Sequence, residues 1–221
     1  VSGPATHSSA STNPRPAVGR LHVLTDTTLQ SRYSHLQVAR LAFAAGADVV
    51  QFREKCPTPA HLAELQRMQD LPRASHQRLV VNDHLRWAAE LGADGVHLGQ
   101  DDATLAEAER LLPPDRIIGL TVHTEAELAV ANTLNLSYIG VGPVFGTTSK
   151  RTGLPPLGLE RLAAFCAASR HPVIAIGRIT AARVPEVLAS GSHGIAVLSA
   201  VVCAADVGAA VAELAAAVRA G

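Results

Sequence analysis

The stretch "HLQVARLAFAAGADVVQFREK", His35 to Lys55, contains both halves of a repeating unit. Its first part spaces apolar residues three and four apart and stops at Gly46, the pattern of a helix with one buried face. Its second part, "DVVQFRE" (48–54), is a short β-branched run of the kind that forms a buried strand. The same kind of run recurs outward in both directions. Upstream lies "LHVLTD" (21–26); downstream come "RLVVND" (78–83), "GVHLGQ" (95–100), "RIIGLTVH" (116–123), "YIGVGPV" (138–144), "PVIAIGRI" (172–179) and "GIAVLSA" (194–200). Ala/Leu-rich amphipathic stretches separate them, among them "AHLAELQRMQ", "EAELAVANTL", "LERLAAFCAA" and "AARVPEVLAS". Buried strands alternating with helices mean parallel strands joined by helical crossovers. Eight such units predict a single α/β domain, a (β/α)8 TIM barrel with outer helices, over residues 20–221. A doubly wound open sheet is the runner-up, but no G-x-G-x-x-G follows the first run. Residues 1–19, rich in Ser, Pro and Ala and without the apolar centre of a secretory signal, read as a flexible N-terminal tail.

Bulk properties narrow the function. The 19 basic and 19 acidic residues balance, which gives no electrostatic footprint for nucleic acid or an anionic membrane. No apolar run is long enough to span a bilayer. Cys56, Cys166 and Cys203 are odd in number and lack CxxC spacing, which suits a reducing cytoplasm and argues against a disulfide or zinc framework.

Active sites of such barrels lie at the C-terminal ends of the strands, and here most runs end in polar chemistry. The second run supplies Gln51, Arg53 and Lys55, which alternation turns to one side, and the third supplies Asn82 and Asp83. The fourth ends in Asp101 and Asp102, the fifth reaches Thr121, and the sixth opens into Thr147, Thr148, Ser149 and Lys150. Lys55 and Lys150 are the only lysines among the 19 cations, and both fall at the same barrel face. A lysine is a compact charge that grips phosphate oxygens, whereas arginine is a fixed fork. Two carboxylates on neighbouring strand ends can hold one Mg²⁺ and leave room for substrate oxygens. With Arg53 and the lysines beside them, they make a diphosphate site. Plainer readings stay open: Asp83 can cap the helix of "HLRWAAEL", and Asp101 or Asp102 that of "ATLAEAER". His97 and His123 read as core histidines or hydrogen-bond partners. "AIGRIT" and "VLSAVV", after the seventh and eighth runs, are placed to take a second phosphate on backbone N–H groups.

The motifs "QFREK", "VVND", "GVHLGQDD", "GLTVHT", "YIGVGPVFGTTSK", "PVIAIGRI" and "GIAVLSA" stand in the order found in the thiamine phosphate synthases, and the chain resembles that family over residues 21–215. The resemblance implies a transferase of thiamine biosynthesis that couples a hydroxymethylpyrimidine diphosphate with a thiazole phosphate, using Mg²⁺. It further implies that Gln51, Arg53, Lys55, Asn82, Thr121 and Lys150 hold the pyrimidine diphosphate, with Arg53, Lys55 and Lys150 as the catalytic charges on the leaving group. Asp83 and Asp102 would bind Mg²⁺. Thr147, Thr148 and Ser149 would line the thiazole phosphate site, whose phosphate meets the backbone at Arg178, Leu198 and Ser199. The implied partners are small phosphorylated molecules, and a homo-oligomer is left open. Two departures stand out. Thr121 replaces the commoner Ser, and Arg178 replaces a glycine at the thiazole phosphate, where a backbone with φ > 0 would be strained. A related thiazole tautomerase is the nearest alternative, but Asp83, Asp102 and Pro143 favour the synthase. A barrel that binds thiamine phosphate without turnover is the other.

Overall fold

A computed structural model describes residues 14–147 and 155–221. Eight parallel strands close into a barrel in chain order: β1 (Leu21–Leu24), β2 (Val49–Phe52), β3 (Arg78–Asn82), β4 (Gly95–Leu98), β5 (Ile117–Val122), β6 (Tyr138–Val141), β7 (Val173–Ile176) and β8 (Gly194–Val197). β8 pairs back onto β1, so no edge is left open. Outside lie α1 (His35–Ala44), α2 (Pro59–Gln69), α3 (Leu85–Glu90), α4 (Leu105–Leu111), α5 (Glu125–Ala131), α6 (Leu159–Ala168), α7 (Val184–Ala189), α8 (Ser199–Val202) and α9 (Val207–Ala220). Val23, Val49, Val50, Val96, Ile118, Ile139 and Ile195 are fully buried. Each such side chain contributes about 1.5–3 kcal/mol.

Four helices start on reciprocal capping boxes: Ser34 with Gln37, Thr58 with His61, Thr104 with Glu107, and Thr124 with Glu127. This corrects two expectations. α4 is capped by Thr104, not by Asp101 or Asp102, and α3 begins at His84 with no side-chain cap from Asp83. Asp83 is thereby left for the barrel mouth, and Asp102 reaches it there. The segment 14–19, expected to belong to a tail, lies against the barrel. Arg15 bonds the Asn135 carbonyl at 3.2 Å and Glu109 at 2.9 Å, and the Val18 carbonyl meets His193 Nε2 at 2.9 Å.

The barrel interior is not purely apolar. His22 Nε2 donates to the Gly19 carbonyl at 3.1 Å, and Gln51 Nε2 donates to His22 Nδ1 and to Tyr138 Oη, both at 3.1 Å. His97 Nδ1 lies 2.9 Å from Tyr138 Oη, and its Nε2 lies 2.8 Å from Thr121 Oγ1. Buried polar atoms must find partners, and these find one another. Gly119 makes the arrangement fit, because a Cβ there would stand 2.3 Å from Tyr138 Cζ.

Burial lowers the His22 pKa from 6.5 to about 3, so the native state keeps this ring neutral. The unfolded chain takes up a proton below pH 6.5 that the native state refuses. Stability from this group is therefore complete above pH 6.5 and falls toward pH 3, by about 1.4 kcal/mol per unit. His22→Gln should be less stable at pH 7, and the gap to the parent should narrow by about 3 kcal/mol by pH 4. Urea unfolding at both pH values reads this directly; an unchanged gap would refute it.

Candidate functional site

At the C-terminal end of the barrel one cavity is lined by Gln51, Arg53, Lys55, Asn82, Asp83, Thr121, Thr147, Arg178, Leu198 and Ser199. Residues expected to share a site from β2, β3, β5, β7 and β8 and the loop after β6 are thus brought together. Thr148, Ser149 and Lys150 lie outside the described residues. Gln51 faces inward as the link between His22 and Tyr138, so it belongs to the floor of the cavity.

Arg53 follows β2 and is almost fully buried, at 7% exposure. Its guanidinium is ion-paired with Asp26, which ends the first strand run. The other oxygen of Asp26 accepts from Thr28 N at 2.7 Å and Leu29 N at 2.9 Å, which locks the carboxylate against its own turn. Arg53 is therefore a fixed cation. Lys55, at the rim, is ion-paired with Asp83, its side chain 41% exposed.

Asp83 takes φ 66°, a left-handed conformation that aspartate tolerates better than most residues. Asp102 accepts a hydrogen bond from Gly99 N at 2.6 Å and reaches Asp83. Burial and the Asp83 carboxylate push the Asp102 pKa up. Burial also works to raise Asp83, but hydrogen bonds from Asp102 and Lys55 outweigh it and hold that carboxyl below the usual range. Two carboxylates in such contact repel unless a positive charge joins them. An all-oxygen pair at an open rim fits a hard divalent cation.

Across the cavity, Gly177 has φ 120°, and a Cβ there would meet Pro143 Cα at 2.7 Å. Glycine is required at 177. Arg178 follows with φ 51°, so the strain anticipated for a non-glycine residue is present. Its carbonyl accepts from Arg183 Nη1 at 3.1 Å, and the Arg183 guanidinium lies 4.2 Å from the centre of the Phe145 ring. The side chain of Arg178 is exposed at the cavity edge. His97 and His123 also line the cavity, His97 as the link between Tyr138 and Thr121, and His123 with Nδ1 2.9 Å from the Gly142 carbonyl. Sequence reasoning assigned no role to Asp26, His22 or Tyr138. The signal for Asp26 was available, as a carboxylate ending the first run just as Asp83 ends the third.

A sequence model described as thiamine monophosphate synthase matches residues 21–201. The chain belongs to this family. It is similar to a thiamine-phosphate synthase of Salinibacter ruber, 47% identical over 86% of this chain and 87% of that protein. A thiamine-phosphate synthase of Chloroflexus aurantiacus is 42% identical over 88% of this chain and 90% of that one. Among solved structures, thiamine phosphate pyrophosphorylase from Pyrococcus furiosus superposes with a TM-score of 0.80 at 33% identity, covering 91% of this chain and 96% of that one. Membership of the thiamine phosphate synthase family makes the chain a transferase of thiamine biosynthesis. No described helix is long and apolar enough to cross a membrane.

Proposed function

We propose that the cavity couples 4-amino-2-methyl-5-hydroxymethylpyrimidine diphosphate to 4-methyl-5-(2-hydroxyethyl)thiazole phosphate, giving thiamine phosphate and diphosphate, in the cytoplasm. The observation that carries this reading is the meeting of Arg53, Lys55 and Asp83 in one cavity with Arg178 and Leu198–Ser199, with Asp102 reaching Asp83 from beside its lining. The first group suits a diphosphate and the second a monophosphate.

Asp83 and Asp102 would hold Mg²⁺, which supplies charge neutralisation for the departing diphosphate. Arg53, fixed by Asp26, presents its guanidinium to the diphosphate oxygens without having to be reoriented during the reaction. Lys55 takes up substrate oxygens at the rim, and Lys150 is proposed to do the same from the loop after β6. Departure of diphosphate leaves a pyrimidine-stabilised cation, which the thiazole nitrogen captures. Alignment and leaving-group stabilisation carry such a substitution, and no general base is called for. Gln51, Asn82 and Thr121 hold the pyrimidine. Thr147, Thr148, Ser149, Arg178 and the backbone at Leu198–Ser199 hold the thiazole phosphate.

Incubation with both half-substrates, with and without Mg²⁺, tests the reading. Thiamine phosphate formed only with the ion is expected. Isomerisation of a thiazole carboxylate phosphate without coupling would support the tautomerase instead, and product binding without turnover the silent barrel.

Arg178 gives a sharper check. A left-handed arginine costs about 1–2 kcal/mol relative to glycine, yet the chain keeps it at the acceptor side. A guanidinium on the phosphate would contribute about 1.5–3 kcal/mol. Arg178→Gly should therefore stabilise the fold by about 1 kcal/mol while raising the KM for thiazole phosphate about tenfold. The KM for the pyrimidine diphosphate should stay level. Tighter acceptor binding in the variant would show that the side chain obstructs the site.

A further inference from the structure

We propose that His35, Glu54 and His61 form a second metal site, for one borderline divalent ion such as Zn²⁺ or Co²⁺, behind the loop that carries Arg53 and Lys55. His35 opens α1, His61 lies in the first turn of α2, and Glu54 sits between the two diphosphate-facing cations. Their ligating atoms all lie within 4.8 Å of one another. His35 Nε2 is 3.2 Å and His61 Nε2 3.8 Å from the same oxygen, Glu54 Oε2. Ligands about 2.1 Å from a tetrahedral ion stand about 3.4 Å apart, so two of the three spacings need almost no adjustment. The third closes by moving His61, whose side chain is 24% exposed and tied only to the exposed helix cap at Thr58, while His35 and Glu54 are buried and fixed.

The groups behind the ligands match this use. A metal-bound imidazole donates its other N–H to a partner that fixes the ring. Thr25 Oγ1 stands 2.6 Å behind His35 Nδ1, and Thr58 Oγ1 stands 3.2 Å behind His61 Nδ1. The Thr25 hydroxyl can accept that proton and turn its own hydrogen to the Gln51 carbonyl at 3.4 Å. His61 Nδ1 also receives the Thr58 N–H at 3.2 Å, a cap contact that the ring gives up as it swings onto the ion, after which its Nδ1–H can turn to the Thr58 hydroxyl. Glu54 is itself steadied, accepting from Thr27 Oγ1 at 2.9 Å and Cys56 N at 2.7 Å. Without the ion, Nε2–H of His35 donates to Glu54. With it, the proton moves to Nδ1 and Nε2 ligates, so no buried donor or acceptor is stranded. Two nitrogens and one oxygen favour zinc or cobalt, whereas the all-oxygen pair Asp83 and Asp102 favours magnesium.

The test is titration of the chelator-treated full chain with Co²⁺ in excess Mg²⁺. One equivalent with the visible absorption of a four- or five-coordinate cobalt centre is expected, and Zn²⁺ at about a hundredfold its dissociation constant should raise the Tm by about 5–10 °C. His61→Ala should lose both effects, while its metal-free Tm falls by only about 2–4 °C, the cost of the Thr58 cap contact. Cys56→Ser should keep both, since the thiol is not a ligand. Uptake that survives in His61→Ala, or that disappears in Cys56→Ser, or no stoichiometric uptake by the parent, would overturn the site. Thiamine phosphate formation has no bearing on any of these readings.

Discussion

Asp83→Asn and Asp102→Asn should each lower turnover about a thousandfold and leave the fold intact. Asparagine is the informative replacement at 83, because the residue sits at φ 66° and alanine would add backbone strain to the loss of charge. At 102 the amide oxygen can still accept from Gly99 N, so the loop after β4 keeps its shape. What each variant loses is one anionic oxygen of a pair proposed to hold Mg²⁺. Several kcal/mol of charge stabilisation are involved, and about 1.4 kcal/mol corresponds to a tenfold change in rate. The Asp83–Lys55 pair is half-exposed, so breaking it costs the fold at most about 1 kcal/mol. Near-parental turnover of both variants at limiting Mg²⁺, measured with the two half-substrates, would remove these residues from the metal.

Asp26→Asn should do the opposite to the fold. It keeps the oxygen that accepts from Thr28 N and Leu29 N but removes the charge opposite Arg53. Arg53 is almost fully buried, and a buried cation without its partner costs about 3–5 kcal/mol. For a chain of this size the Tm should fall by about 6–20 °C. The double variant Asp26→Leu, Arg53→Met, with no charge left to strand, should recover much of that loss in thermal unfolding while turnover stays low. If Asp26→Asn melts within about 2 °C of the parent, the pair does not fix Arg53.

The barrel was legible because its signal is local: short β-branched runs, amphipathic stretches between them, and glycine at helix ends. That the candidate residues at strand ends would gather at one mouth was legible for the same reason, since a polar residue after a buried run has few places to go in this architecture. Helix caps were misread where two candidates stood close together. Thr104 with Glu107 wins at α4 because the box satisfies two backbone groups reciprocally, which a lone aspartate does not. Asp26, His22 and Tyr138 went unassigned because their partners lie on other strands, and spacing along the chain carries no register between β1, β2 and β6. Arg178 was noticed as a break in a family motif, and the strain expected there is present at φ 51°.

The hydrogen bonds inside the barrel diverge from the Gln51 amide. His22 spends its only N–H on the Gly19 carbonyl, so it must receive from Gln51. Gln51 also donates to Tyr138, whose hydroxyl then gives its proton to His97 Nδ1. With Nδ1 accepting, His97 passes the sense onward from Nε2 to Thr121 Oγ1. The Gly19 carbonyl thus fixes, through His22, which end of the Gln51 amide faces Tyr138, and that choice surfaces at the open end, where Thr121 is left to offer a hydrogen. The cavity floor therefore meets its substrate as a giver. A ring nitrogen with a lone pair would satisfy it, and a ring bearing N–H at the same place would be turned away by a carbonyl five hydrogen bonds distant.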